Sequence, residues 1–142
     1  MKKIFLTITL LFSGISFLSA QETTSEKFSI TVKMTGFNSN KGKVFIAVFN
    51  KKENFLGKRY KGGFTKIENK KATFTFEGIE KGEYAVSIFH DENDNDKMDT
   101  NFLGIPKEDY GCSNDAKGFM GPPKYDDAKF QLTENKTIEI KL

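Results

Sequence analysis

Apolar residues recur at every second position along much of this chain, and no segment sustains a helical period beyond two turns. That pattern confines the fold to sheets. Phe28, Ile30, Val32 and Met34 alternate with Ser29, Thr31 and Lys33, as in a strand with one buried face. Gly36 to Gly42 is a turn cluster of Gly, Asn and Ser. Val44 to Phe49 (VFIAVF) is a continuous run of β-formers and predicts a central strand. A short edge strand is expected near Phe64 to Ile67. Ala72, Phe74 and Phe76 alternate with threonines in another strand, Gly78 to Gly82 reads as a connector, and Tyr84 to Phe89 is the next strand. Lys129 to Leu132 and Thr137 to Leu142 close the chain around a Thr133 turn. The expected fold is all-β: an antiparallel β-sandwich of about seven strands.

The N-terminus has a different character. Lys2 and Lys3 precede an apolar run from Ile4 to Leu18, followed by Ser19, Ala20 and Gln21. This is the layout of a secretory signal peptide over residues 1–20, cleaved after Ala20. The run is interrupted by Thr7, Thr9, Ser13, Gly14 and Ser16, and a membrane span needs about 20 mostly apolar residues. No transmembrane anchor is therefore expected. No cysteine follows the run, so a lipoprotein signal is absent. Residues 21–27 form a flexible lead-in, and residues 28–142 a single domain in the periplasm or outside the cell.

The formal charge is +3. Removing Lys2 and Lys3 with the leader leaves the chain near neutrality, which argues against a nucleic-acid binder. One cysteine excludes an intrachain disulfide, and one histidine excludes multi-histidine metal centres.

The strand rhythm stops from Asp91 to Asp127, a length that marks an ordered functional loop. It opens on an acidic run in which Asp91, Asn93, Asn95 and Asp99 occupy positions 1, 3, 5 and 9 of a Ca²⁺ loop, with the Lys97 backbone carbonyl at position 7. Position 6 is Asp96 rather than glycine, and position 12 is Phe102 rather than a bidentate glutamate. The rival account is an Asx-rich turn capping its own backbone. Asp91, Glu92, Asp94, Asp96 and Asp99 repel one another, with Lys97 as the only local counter-charge.

His90 ends a strand on the inward face. It serves either as a general base with a loop carboxylate such as Glu108 or Asp109, or as a structural imidazole hydrogen-bonded to the loop. Cys112 lacks an electropositive setting and reads as structural. The basic stretch Lys51, Lys52, Lys58, Arg59 and Lys61 reads as a solvated loop. Tyr110, Phe119 and Tyr125, with His90 and Glu108, form a candidate loop surface for stacking on a sugar or peptide.

Three blocks carry a resemblance. His90-Asp91 with Asn93 to Asp99, Gly104 to Asn114, and Ala128-Lys129-Phe130 follow the order of a strand ending in His-Asp, an Asn/Gly/Asp-rich turn, a G-x-P-x-E-x-x-G-x-S-N segment and a return into an A-x-F strand. This resembles the DUF2141 family of exported bacterial proteins. The chain departs from the family pattern at Asp94 and Asp96, where glycine is frequent, and at Cys112, where an aromatic is usual. The last departure counts against a thiol mechanism shared by the family. Phe76-x-x-Ile79-x-x-Gly82-x-Tyr84 is similar to transthyretin-like and carboxypeptidase-regulatory-like sandwiches, which implies a prealbumin-like or Ig-like topology. The resemblance supplies no catalytic residue.

The expectation from all of this is a monomeric, non-catalytic binding or accessory module of the cell envelope, stabilised by Ca²⁺, with an envelope protein or glycan as partner. The alternatives are an envelope hydrolase using His90 and a structural protein pairing through an edge strand.

Overall fold

The computed structural model describes residues 25–142. The signal peptide expected over 1–20 and residues 21–24 of the expected lead-in lie outside the described residues. Eight strands follow in order: β1 (Lys27–Thr35), β2 (Lys43–Phe49), β3 (Lys61–Thr65), β4 (Lys71–Glu80), β5 (Gly82–Asp91), β6 (Tyr110–Cys112), β7 (Phe130–Leu132) and β8 (Lys136–Lys141). The one α-helical turn, α1, spans Tyr125–Ala128. Among the described residues, no helix is long and apolar enough to cross a membrane.

The strands build two sheets. One is ordered β4-β1-β8, and the other β3-β2-β5-β6, with β7 also paired to β5. β6 pairs with Ser87 to Phe89 and β7 with Gly82 to Tyr84. The two short strands thus divide β5 between them. The alternating apolar residues face one another across the sandwich: Ile30, Val32 and Met34 from β1, Val44, Ile46 and Val48 from β2, Val86 and Ile88 from β5, and Ile138 and Ile140 from β8 are all buried. β2 is central, between β3 and β5, as its unbroken apolar run requires.

The structure departs from the sequence expectation in three places. The Gly78 to Gly82 segment is no connector, because β4 continues to Glu80. Its register against β1 slips between Phe28 and Ile30, where Gly78 adopts φ +68. That is a β-bulge at the glycine, which kinks the strand without ending it. The sandwich is not wholly antiparallel either, since β1 and β8 run parallel. Finally, the interval from Asp91 to Asp127 holds β6 and α1. One edge of each sheet is guarded: β3 is short and begins on Lys61, and β8 carries Lys136, Glu139 and Lys141. Such edges discourage strand addition.

Candidate functional site

The outward face of the β3-β2-β5-β6 sheet carries a second apolar surface. Register places Phe64, Phe45, Phe89 and Tyr110 in one row across four strands. Phe45 and Phe89 stack with centroids 5.0 Å apart, and Phe45 meets Phe64 at 5.7 Å. The adjacent row, Gly62, Ala47 and Ser87, holds only small side chains. A trough therefore crosses the sheet beside an aromatic ridge.

Part of this outward face is sealed. Phe49, Ala85, Cys112, Ala116, Tyr125 and Ala128 form a second buried cluster, with Phe55 against it. The rest is roofed at a distance by the long loop. Leu103, Ile105, Met120 and Pro122 complete a cleft of about 1270 Å³ over the trough. Pockets for drug-sized ligands are about 300–1,000 Å³ and mostly apolar. The loop tips are bare: Phe102, Phe119 and Met120 are 94%, 93% and 95% exposed.

What holds the loop in place is polar. Ser113 is fully buried. Its Oγ accepts the Val86 N–H at 2.9 Å and donates to the Ala128 carbonyl at 2.5 Å. The Asn114 side chain donates to the Lys129 carbonyl at 2.8 Å and the Asp127 carbonyl at 3.2 Å. At the other end of the loop, Glu108 Oε2 accepts the Asp99 N–H at 3.0 Å. Sequence reasoning singles out Cys112 and passes over Ser113. The signal that points to the serine is the Ser-Asn pair ending the G-x-P-x-E-x-x-G-x-S-N block.

The acidic run begins on Asp91, whose buried carboxylate accepts the Asn95 N–H at 3.0 Å and the Asp96 N–H at 2.9 Å. Asp94 and Asp96 sit at φ 59 and 65, so Asp96 takes the left-handed shape otherwise given to glycine. Asn93 and Asn95 donate to the Asp99 carboxylate at 2.7 and 3.0 Å. These bonds, Asn95 first, hold the Asp99 carboxyl below its ordinary pKa. The Lys97 N–H bonds the Asn95 side chain at 3.0 Å.

Lys97 is not the sole counter-charge. The Lys43 ammonium from β2 lies 2.7 Å from Asp94 and 2.5 Å from Asp96. Asp94 and then Asp96 hold its pKa above the ordinary lysine range. Among the described residues, the carboxylate oxygens of Asp91, Asp94 and Asp96 lie within 4.8 Å of one another. That trio differs from the set expected from loop spacing. Gly42, at φ +64 directly before Lys43, abuts the Asp91 backbone, where a Cβ would collide.

His90 and Tyr125 do not belong to the exposed loop surface. His90 is 3% exposed, shares a 2.8 Å hydrogen bond with the Lys41 carbonyl, and meets Phe37 edge-on. None of its hydrogen bonds among the described residues reaches a carboxylate. Tyr125 is 5% exposed and sits in the second cluster. Tyr110 and Phe119 are exposed, and Tyr110 lines the cleft. Cys112 is buried, and burial pushes its thiol pKa up.

Residues 32–141 match the family described as "Uncharacterized protein conserved in bacteria (DUF2141)". The chain belongs to the DUF2141 family. The matched span begins within β1, at Val32, and takes in everything through β8, including the whole loop and its clasp. No curated protein and no solved structure matches the chain.

Glu108 offers a direct test of the loop's electrostatics. Its Oε1 is buried with no hydrogen-bond partner. Burial, with smaller contributions from Asp91 and Asp99, raises its carboxyl pKa. A carboxyl raised in the folded state weakens the fold once ionised. The penalty is absent below the ordinary glutamate pKa and grows as pH rises through the folded value. Glu108→Gln is therefore expected to stabilise the protein at pH 7 by about 1 kcal/mol, about 4 °C in Tm. The gain should vanish at pH 4 and below. Thermal melts of both proteins across pH measure it, and an equal gain at every pH would refute ionisation of a buried carboxyl as its cause.

Proposed function

We propose that this DUF2141 protein is an exported, non-catalytic binding module of the bacterial envelope, acting as a monomer through the cleft over the β3-β2-β5-β6 sheet. One observation carries the proposal: the Phe64-Phe45-Phe89-Tyr110 row faces an open cleft under the loop, on a sheet face whose other half the same loop packs shut. Apolar patches of this kind on a monomer mark interaction sites. The trough of Gly62, Ala47 and Ser87 gives the ligand room to reach the sheet.

The acidic run off the Lys43 end of β2 is the second part of the proposal. Ca²⁺ orders it, through Asp91, Asn93, Asn95, Asp99 and the Lys97 carbonyl. Turning the Asn93 amide over presents its oxygen in place of its nitrogen, an exchange the heavy-atom positions permit, and the Asn95 oxygen that accepts the Lys97 N–H keeps a second lone pair for the ion. Glu108, with its spare buried oxygen, supplies the carboxylate that Phe102 cannot. The left-handed Asp96, which turns the run as the glycine of a Ca²⁺ loop would, supports Ca²⁺ at this run.

Two measurements test it. Titration with the neutral apolar dye N-phenyl-1-naphthylamine should show saturable, one-to-one binding to the native protein. Emission that rises linearly without saturation would contradict the cleft. Melting in millimolar CaCl₂ against EDTA should raise Tm, since a ligand at a hundredfold excess over Kd adds about 2.7 kcal/mol. No shift would remove the calcium part alone.

A further inference from the structure

The cleft has an electrical direction as well as a shape. Arg59 lines it, and the arginine stem lies across Gly62, where any Cβ would collide with it. The guanidinium is thus laid along the β3 end of the trough, with Lys58 beside it in the chain. Neither Arg59 nor Lys58 has a carboxylate partner among the described residues, whose ion pairs are confined to Lys43, Lys52 and Lys129. The acidic run lies off the far end of β2, where Asp94 and Asp96 are taken up by Lys43.

From this end the trough runs over Ala47 and Ser87 towards β6, and its walls are mostly apolar. The two strand spacings from Gly62 to Ser87 make it about 10 Å long. The walls that flank it are aromatic on one side and the loop's Met120 and Pro122 on the other. An unpaired guanidinium at one end of an apolar channel is matched by one chemistry: an anion carried on an apolar tail. Arginine offers a planar fork that fits a carboxylate by two parallel hydrogen bonds. A neutral apolar ligand would leave that charge unused, and a cationic one would be repelled.

We infer that the cleft takes a single-chain anionic amphiphile, a medium- or long-chain carboxylate, with its head on Arg59 and its tail in the trough beside Phe45 and Phe89. This rests on the cleft being the binding surface.

The test is calorimetric titration of the protein with dodecanoate, dodecanol and dodecyltrimethylammonium, each below its micellar concentration. Dodecanoate should bind, and dodecanol more weakly. Arg59→Gln should weaken dodecanoate by roughly ten- to a hundredfold, the worth of hydrogen bonds to a charged group, and leave dodecanol unchanged. If all three probes bind alike and Arg59→Gln changes none of them, the anionic head is refuted while the apolar cleft stands. If no probe binds, both fail together. If monomeric dodecanoate does not bind but phosphatidylglycerol vesicles do, through the exposed Phe102 and Phe119 tips, the surface is a membrane contact and the inference is overturned.

Discussion

Replacing Ser113 with alanine is expected to cost about 2 kcal/mol of stability, about 8 °C in Tm for a domain of this size. The reason lies in how β5 is shared. β6 pairs with it at Ser87 to Phe89 and β7 at Gly82 to Tyr84. Between the two partners the Val86 N–H meets no strand on that edge. The Ser113 hydroxyl stands in for one, accepting that N–H at 2.9 Å. It then donates its own proton to the Ala128 carbonyl at 2.5 Å. Alanine leaves a buried donor unpaired and unhooks the loop from both β5 and α1. Ser113→Val fills the space without the hydrogen bond and should rescue little. Denaturant melts of the two variants decide it. A loss below about 0.5 kcal/mol, the ordinary surface range, would show that the clasp is not needed.

Ala47→Trp should abolish ligand binding, by more than a hundredfold, while moving Tm by no more than a few degrees. Ala47 lies on the outward face of β2, opposite the buried Ile46 and Val48. Its side chain points into the trough, between Gly62 and Ser87. An indole there occupies the space a ligand tail would use, and it rests on Phe45 and Phe89 without entering the sandwich core. The native sequence has no tryptophan, so the variant also carries its own reporter. An indole in the trough should emit as one shielded from water. Unimpaired dye binding by a folded Ala47→Trp protein would place the ligand elsewhere.

Much of the sandwich is legible in the sequence because its strands are buried on one face or on both. β1 and β8 alternate strictly, β2 is an unbroken apolar run, and β5 carries one broken only at Ser87. Those same runs hide the site. In VFIAVF and YAVSIF both faces are apolar, so periodicity does not tell that Phe45, Ala47 and Phe89 face a cleft while Ile46 and Ile88 face the core. β6 is invisible because three residues, Tyr110 to Cys112, have no pattern of their own and become a strand only by pairing with β5. Lys43 escapes notice as the partner of Asp94 and Asp96 for a related reason. It is far from them in sequence and is delivered by the β2–β5 register, which sets Lys43 opposite Asp91. The turn before it, closed by Gly42, is legible as a turn but not as the device that aims this lysine.

The most direct check of the cleft is a titration of N-phenyl-1-naphthylamine into ¹⁵N-labelled protein, followed by amide shifts. Ala47, Gly62, Ser87 and Met120 are expected to move together along one saturating curve, while Ile30 and Val32 in the opposite sheet stay still. Shifts gathered instead on β4 and β8, or on the acidic run alone, would contradict a ligand seated over the aromatic row.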